Sequence, residues 1–259
     1  MSLKDPIPAR INILGVGISA IDMDLALRSI EHRIDAAEPN YVCVAPAHSI
    51  MDAYQDGGFR RILNSSGLTT PDGMSLVWIL RFLGHKEVAR VYGPDLMLAM
   101  CQYGVEKKYR HYLYGGELGV AEALASRLTD RFDDLQIVGT HSPPFQRLTE
   151  DEDRAIIEKI NSANPDIVWV GLSSPKQERW MAEHLGKIEA PVMIGVGAAF
   201  DFLSARKHQA PRWIQRSGFE WLFRLASEPK RLWPRYRQYP KFVALVFLQL
   251  VGLKKFSIE

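Results

Sequence analysis

A hydroxyl that attacks an electrophilic carbon must lose its proton, and a carboxylate or imidazole held at a turn can take it. In Leu68-Thr-Thr-Pro71-Asp72-Gly73-Met74, Asp72 falls at the end of a short predicted strand, just before a predicted helix. The flanking Pro71 and Gly73 make that turn sharp and exposed. There Asp72 can serve as a general base, or it can cap the helix, a role Asp fills well. His48 follows Val44-Ala45-Pro46-Ala47 at another predicted strand end. It can handle a proton or act as a structural histidine.

Other strings suit the binding of phosphate, ribose or sugar. Tyr112-Leu-Tyr114-Gly115-Gly116-Glu117 ends a strand in paired glycines and opens a helix. A phosphate could there approach backbone N–H groups and the positive helix end, or the glycines could simply make a tight turn. In Gly171-Leu-Ser-Ser174-Pro175-Lys176-Gln177-Glu178, Gln177 offers an amide to a sugar or uracil edge and Lys176 a cation to phosphate. Pro175 also fits the first turn of a helix. Gly195-Val-Gly197-Ala-Ala-Phe200-Asp201 is a further strand end with a glycine-rich loop. Gly15-Val-Gly17-Ile-Ser-Ala20 imitates a dinucleotide-binding turn, but Ala20 replaces its third glycine. Asp22-Met-Asp24 and Asp151-Glu-Asp153 have a metal-binding look, yet both open amphipathic helices, where acids satisfy the dipole.

The elements that would position these groups follow from apolar periodicity. Strands are expected at 11–16, 41–45, 68–70, 111–114, 136–140, 167–170 and 192–196, and helices at 22–37, 117–132 and 150–161. Thr149 and Glu152 have capping-box spacing. Alternating strands and helices predict a mainly parallel sheet flanked by helices, with ligands beyond the carboxyl ends of the strands. Near Ser204 the alternation stops. The chain therefore reads as an α/β core over 1–203 and a basic, mostly helical appendage over 204–259.

The 259 residues, 47% hydrophobic and 24% charged, suffice for a core without disulfides. Cys43 and Cys101 match no metal spacing and suit a reducing compartment. No stretch near the N-terminus has signal-peptide length, so a cytoplasmic location is expected. The net charge of +2 conceals an asymmetry: residues 204–259 hold 12 Lys or Arg against 3 Asp or Glu, hence +9, which leaves −7 for 1–203. Such a tail calls for an anionic partner. Its apolar run at 242–253 is too short to span a bilayer but suits the interface.

Taken in order, Thr70-Pro-Asp-Gly-Met74, Arg90-Val-Tyr-Gly-Pro-Asp95, Tyr114-Gly-Gly116, Gly171-Leu-Ser-Ser-Pro-Lys-Gln-Glu178, Gly195-Val-Gly-Ala-Ala-Phe-Asp201, Gln209-Ala-Pro-Arg212, Glu220-Trp-Leu-Phe-Arg-Leu225 and Glu228-Pro-Lys-Arg231 resemble the WecG/TagA/CpsF glycosyltransferases, glycosyltransferase family 26. The likeness runs from about Ile11 to Leu253. It implies a Rossmann-like α/β core whose C-terminal appendage completes the site, and metal-independent, inverting transfer of a sugar, often of N-acetylmannosamine type, from a UDP-sugar to an undecaprenyl-diphosphate-linked acceptor. UDP-sugar is then a substrate, and no cofactor is expected. By the likeness Asp72 is the general base, Gln177 a sugar-contacting amide, and Arg224 and Arg231 appendage arginines near the diphosphate. Tyr114, Gly115, Gly116, Pro175, Lys176, Gly197, Asp201 and Arg212 join the expected binding set, with Asp72, Gln177 and His48 as the catalytic set. Members commonly carry Thr-x-Asn after the second strand; here Val44-Ala45-Pro46 stands instead, and His48 is expected to replace the missing groups in part. The enzyme is expected as a peripheral protein on the inner face of the cytoplasmic membrane, bound to anionic lipid and not to nucleic acid, with a homo-oligomer open. The rival readings are an NAD-dependent Rossmann enzyme using the Gly15 turn and a nucleic-acid-binding protein using the tail.

Overall fold

The computed structural model of the chain describes residues 7–144, 146 and 148–258. In order, the elements begin with β1 (Arg10–Ile13), β2 (Val16–Ser19), α1 (Met23–Ala36), β3 (Asn40–Ala45), α2 (Ala47–Gln55), α3 (Gly57–Ser65), β4 (Leu68–Pro71) and α4 (Met74–Phe82). They continue with α5 (Gly93–Lys107), β5 (Arg110–Gly115), α6 (Val120–Thr129), β6 (Gln136–His141), α7 (Glu150–Ser162), β7 (Ile167–Gly171), α8 (Lys176–Glu183) and β8 (Val192–Gly195). Helices α9 (Ala199–Leu203), α10 (Arg212–Ser217), α11 (Glu220–Ser227), α12 (Pro229–Tyr236) and α13 (Tyr239–Leu250) follow. The fold is α/β and Rossmann-like. Its six-stranded sheet has the order β4-β3-β8-β7-β5-β6, and the pairs β3–β8, β8–β7, β7–β5 and β5–β6 are parallel.

The chain divides into two compact units, each assembled from separated segments. The first contains Asp24–Cys43 and Gly93–Lys207; the second contains Pro8–Met23, Val44–Tyr92 and His208–Glu259. Residues beyond 208 thus share a unit with two much earlier segments.

In the first unit the central strand β7 reads Ile-Val-Trp-Val-Gly, with its first four residues buried, as a strand covered on both faces requires. Trp169 is fully buried and its indole N–H donates to His111 Nδ1 at 3.0 Å. At the start of α7, Thr149 accepts from the Glu152 N–H while the Glu152 carboxylate accepts from the Thr149 N–H, so the expected capping box is formed. Both Asp-x-Asp strings lie at helix starts: Asp24 pairs with Arg28 at 2.5 Å, Asp151 with Arg154 at 3.2 Å, and Asp153 with His184 at 3.1 Å.

In the second unit one expectation is corrected. The predicted strand over 11–16 is a hairpin, with β1 and β2 antiparallel and Ile13 opposite Val16. Leu14 and Gly15 both take positive φ, 53° and 87°, as a two-residue hairpin turn of matching twist demands. Gly15-Val-Gly17 is therefore a hairpin corner and first residues of β2, not a strand-to-helix turn, and the NAD reading loses its structural basis. Arg10 secures the hairpin by donating to the carbonyls of Gly17, Leu63, Asn64 and Ser66 and to the Thr69 hydroxyl. No helix among the described residues is long and apolar enough to cross a membrane.

Candidate active site

The first unit carries the glycine-rich strand ends. Gly115 closes β5 at φ 134°, opposite Gly171 in register, and a Cβ built on it would stand 2.6 Å from the Gly171 carbonyl carbon. The Gly116 N–H donates to Gly171 O at 3.1 Å. A Cβ on Gly171 would in turn meet the Phe200 ring at 2.6 Å. Close packing of neighbouring strand ends is thus what these glycines permit first. Tyr114 is buried, its ring stacked on Trp180 with centroids 4.3 Å apart and on His141 at 5.9 Å. Burial pushes its hydroxyl well above the usual tyrosine range.

Pro175 precedes α8, Lys176 opens it in solvent, and Gln177 turns inward. The Gln177 amide lies over Gly195 and Gly197, where side chains would intrude. Its Nε2 donates to Glu178 Oε1 at 3.0 Å, while its Oε1 is buried with no hydrogen-bond partner. Asp201, in α9, pairs with Lys207 at 2.9 Å.

The second unit holds a cavity of about 690 Å³. Asp72 lines it, 15% exposed, its N–H donating to Ala45 O at 3.2 Å. The residue capping α4 is Gly73, without a side-chain bond, so the capping alternative for Asp72 is not the one realised. Arg90, which sequence reasoning left without a role, donates through Nη2 to Glu220 Oε2 at 2.6 Å. The same nitrogen lies 3.8 Å from Asp72 Oδ1. Burial works against the Arg90 charge, but the carboxylates of Asp72 and Glu220 outweigh it and hold the guanidinium above its ordinary value.

Helix α11 lines the cavity with Glu220, Trp221, Arg224 and Leu225. Residues 220 and 224 are one turn apart and share a face. Burial also opposes the Arg224 charge, yet Tyr236, Tyr92, Glu220 and Asp72 hold its value up. Arg237 adds a third guanidinium, and Trp78, Trp233 and Val243 an apolar wall. Arg212 and Arg231 lie outside this lining. Arg212 donates to Gln215 at 3.3 Å, and Arg231 pairs with Glu228 on an exposed face.

His48 does line the cavity, 6.5 Å from the Tyr236 ring, with Nδ1 buried and without a partner. Burial, then Arg235 and Arg224, lowers its pKa to about 3. The ring is therefore neutral near pH 7 and carries hydrogen bonds, not charge. The residues missed by sequence reasoning, Arg90 and Glu220 above all, sat inside strings that were noticed. A charge beside aromatic and aliphatic residues is their whole local pattern, and it does not distinguish them from surface charges.

A Bacillus subtilis (strain 168) N-acetylglucosaminyldiphosphoundecaprenol N-acetyl-beta-D-mannosaminyltransferase is 29% identical over 227 residues, 87% of this chain and 86% of the relative. Its Bacillus spizizenii counterpart is 27% identical over 213 residues, 82% of this chain and 80% of the relative. A Staphylococcus aureus (strain MW2) protein of the same description is 24% identical over 237 residues, 91% of each. The profile of the glycosyl transferase WecG/TagA/CpsF family matches residues 11–256, nearly the whole span that holds the cavity and the glycine-rich strand ends, so the chain is a glycosyltransferase and belongs to that family.

Proposed function

We propose that the enzyme transfers an N-acetylmannosamine-type sugar from its UDP derivative to the N-acetylglucosaminyl diphosphate of undecaprenol, with inversion, in cell-surface polysaccharide synthesis. The carrying observation is the second unit's cavity, where two carboxylates, three guanidinium groups and an apolar aromatic wall line one space. A lipid diphosphate sugar needs that combination: a base for its hydroxyl, cations for its diphosphate, and apolar surface for the start of its carrier.

In this reading Asp72 removes the proton of the acceptor hydroxyl as its oxygen bonds to the anomeric carbon and the bond to UDP breaks. Arg224 and Arg237 meet diphosphate charge as bidentate donors, and Arg231, paired with Glu228 outside the cavity lining, has at most a minor share in that task. In the first unit, Gln177 Oε1 is the polar atom best suited to a sugar or uracil N–H or O–H, with the adjacent Lys176 and, from α9, Asp201 as further ligand groups. His48 serves as a neutral hydrogen-bonding group. Transfer from UDP-N-acetylmannosamine to a short-chain prenyl diphosphate N-acetylglucosamine tests the proposal. UDP and a disaccharide product should appear together; no product with this donor, but product with another UDP-sugar, would reassign the donor.

Residues 204–259 are proposed to complete the site and hold the enzyme on the inner face of the cytoplasmic membrane. Trp213, Phe219, Trp233, Phe247 and Leu253 are each more than half exposed, on a segment with a charge of +9. Aromatic and basic residues together suit an anionic headgroup layer. Co-sedimentation with anionic vesicles should occur and weaken with salt; equal binding to neutral vesicles would remove the electrostatic part.

A further inference from the structure

The Arg90 side chain reaches three groups at once. Its Nε donates to the backbone carbonyl of Asp72, its Nη2 donates to Glu220 Oε2 at 2.6 Å, and the same Nη2 stands 3.8 Å from Asp72 Oδ1. The guanidinium carbon lies 4.0 Å from the Tyr92 ring centroid. The side chains of Arg90, Asp72 and Glu220 are only 16%, 15% and 10% exposed. Charges so little hydrated are costly to keep unless they are matched, so the way they are matched matters.

The matching is unequal. Arg90 makes its short charged hydrogen bond to Glu220, and holds Asp72 by the backbone, with the carboxylate at longer range. A carboxylate locked in a short bidentate ion pair with arginine is a poor base, because the pair favours its ionised form. A second carboxylate that takes the strong bond offsets the cation and leaves the first more basic. Glu220 also opens α11, the helix that carries Arg224 into the cavity. The same bond therefore fixes the base's turn and the helix bearing a cavity cation.

We infer that Arg90 and Glu220 are positioning residues: Arg90 clamps the Asp72 turn, and Glu220 draws the guanidinium off the Asp72 carboxylate so that it can accept the acceptor's proton. The inference rests on the reading of Asp72 as the base. Tyr92 beside Arg90, Arg224 from α11, Tyr236 from α12 and Tyr239 from α13 also act on Asp72. The three tyrosines are pushed up by burial, above the ordinary tyrosine value, so they are neutral where the enzyme works. Arg90 and Arg224 therefore act on Asp72 as cations, and Glu220 opposes them.

Opposite substitutions should move the acid limb of the kcat/KM profile in opposite directions. Glu220→Gln leaves Arg90 to Asp72, so the limb should move down by about one pH unit, with turnover near pH 7.5 falling by up to about tenfold as the base weakens. Arg90→Gln removes the cation, so the limb should move up by a similar amount while turnover falls through the loosened turn. KM for the UDP-sugar should change little in either, and Glu220→Asp should recover most of the loss. A purely structural bond would lower the melting temperature and leave both limbs where they were. Coincident limbs in the wild type and both folded variants, or shifts of one sign, overturn the inference. If Glu220→Gln does not fold, Glu220→Asp carries the same arm, with a smaller shift down. Asp72→Asn, assayed alongside, separates the two failures: normal turnover in that variant sinks the base reading, whereas its inactivity with unmoved limbs sinks only the roles of Arg90 and Glu220.

Discussion

The two units of this chain use their polar and small residues in opposite ways. In the first, glycines at 115 and 171 let strand ends meet, a histidine accepts from a buried indole, and acids cap or pair at helix starts. These arrangements lower the energy of one fold. In the second, Asp72, Arg90, Glu220 and Arg224 gather around a cavity, each largely withdrawn from water. Grouped charges of this kind add little net stability compared with apolar packing. Their presence makes sense where a proton must move and a diphosphate must be held. The lesson is that a glycine-rich strand end and a charged cavity, both plausible ligand sites in sequence, respond to different perturbations.

The sharpest way to break this comparison is Asp72→Asn. Turnover should fall about 10²–10⁴-fold, the scale of losing a general base. The melting temperature should stay close to that of the wild type, since the amide keeps the shape and the turn is also held through its backbone carbonyl. Single-turnover transfer and a thermal melt on the same preparation decide it. Unimpaired turnover would return Asp72 to a structural role.

Gly115→Ala is the counterpart in the first unit. The new Cβ would face Gly171 backbone at 2.6 Å, at a φ of 134° that L side chains avoid. Backbone strain and overpacking together should cost about 3–5 kcal/mol. Urea unfolding measures it, and a loss under about 1 kcal/mol would mean that the strand ends yield, contrary to the packing role given to this glycine.

How far this contrast could be read from sequence depends on how local its causes are. Strand β7 was legible because a strand covered on both faces is a continuous apolar run, and α7 because its capping box is contained in four residues. The β1–β2 hairpin was not, because Leu14 is a residue that rarely takes positive φ, and Ile11–Val16 reads as one strand without an Asn-Gly or Asp-Gly signal. Asp72 was legible through Pro71 and Gly73, which advertise a turn. The Arg90–Glu220 bond joins residues 130 positions apart, and neither has a local pattern that sets it apart from a surface charge. The division into units was equally hidden, since each is assembled from distant segments that only tertiary contacts bring together. Gln177 was singled out as an amide beside a loop, whereas the glycines at 195 and 197 that give it room belong to another strand end.

Two arginines given the same role in sequence now divide. Arg224 lines the cavity, so Arg224→Ala should lower turnover about 10²-fold, as loss of one preorganised cationic donor does. Arg231 pairs with Glu228 on an exposed face, so Arg231→Ala should stay within roughly threefold, the scale of an exposed ion pair. Steady-state kinetics with a soluble acceptor analogue measures both. Equal, large losses would sharpen the comparison differently, by extending the functional charge set of the second unit beyond its cavity. Activity should also survive EDTA, because guanidinium groups are assigned the diphosphate; loss reversed by Mn²⁺ or Mg²⁺ would assign that charge to a metal.

The smallest expected effect compares a buried histidine in each unit. Burial, then Arg235 and Arg224, lowers His48 to about 3; burial lowers His111 to about 4, with Asp166 opposing. Both are neutral in the native state near pH 7, whereas an unfolded histidine titrates near 6.5. Between the native values and about 6.5 the unfolded chain binds more protons, so stability rises with pH across that window and is lost as pH falls. Each histidine contributes at most about 1.4 kcal/mol per pH unit. His48→Asn removes one such contribution and should flatten the fall in unfolding free energy between pH 6 and pH 5 by up to that amount. The contribution of His111, whose Nδ1 must stay unprotonated to accept from Trp169, remains in the variant. Because His48 stays neutral from pH 5 to 8, the same variant should keep the position of the kcat/KM limb even if its turnover drops. Urea unfolding at pH 7.5, 6 and 5 and a pH–rate profile give the two readouts. An unchanged stability slope would show that His48 gains a proton in the folded enzyme. A moved kinetic limb would make it a proton carrier, and the second unit would then hold two titrating groups at its cavity instead of one.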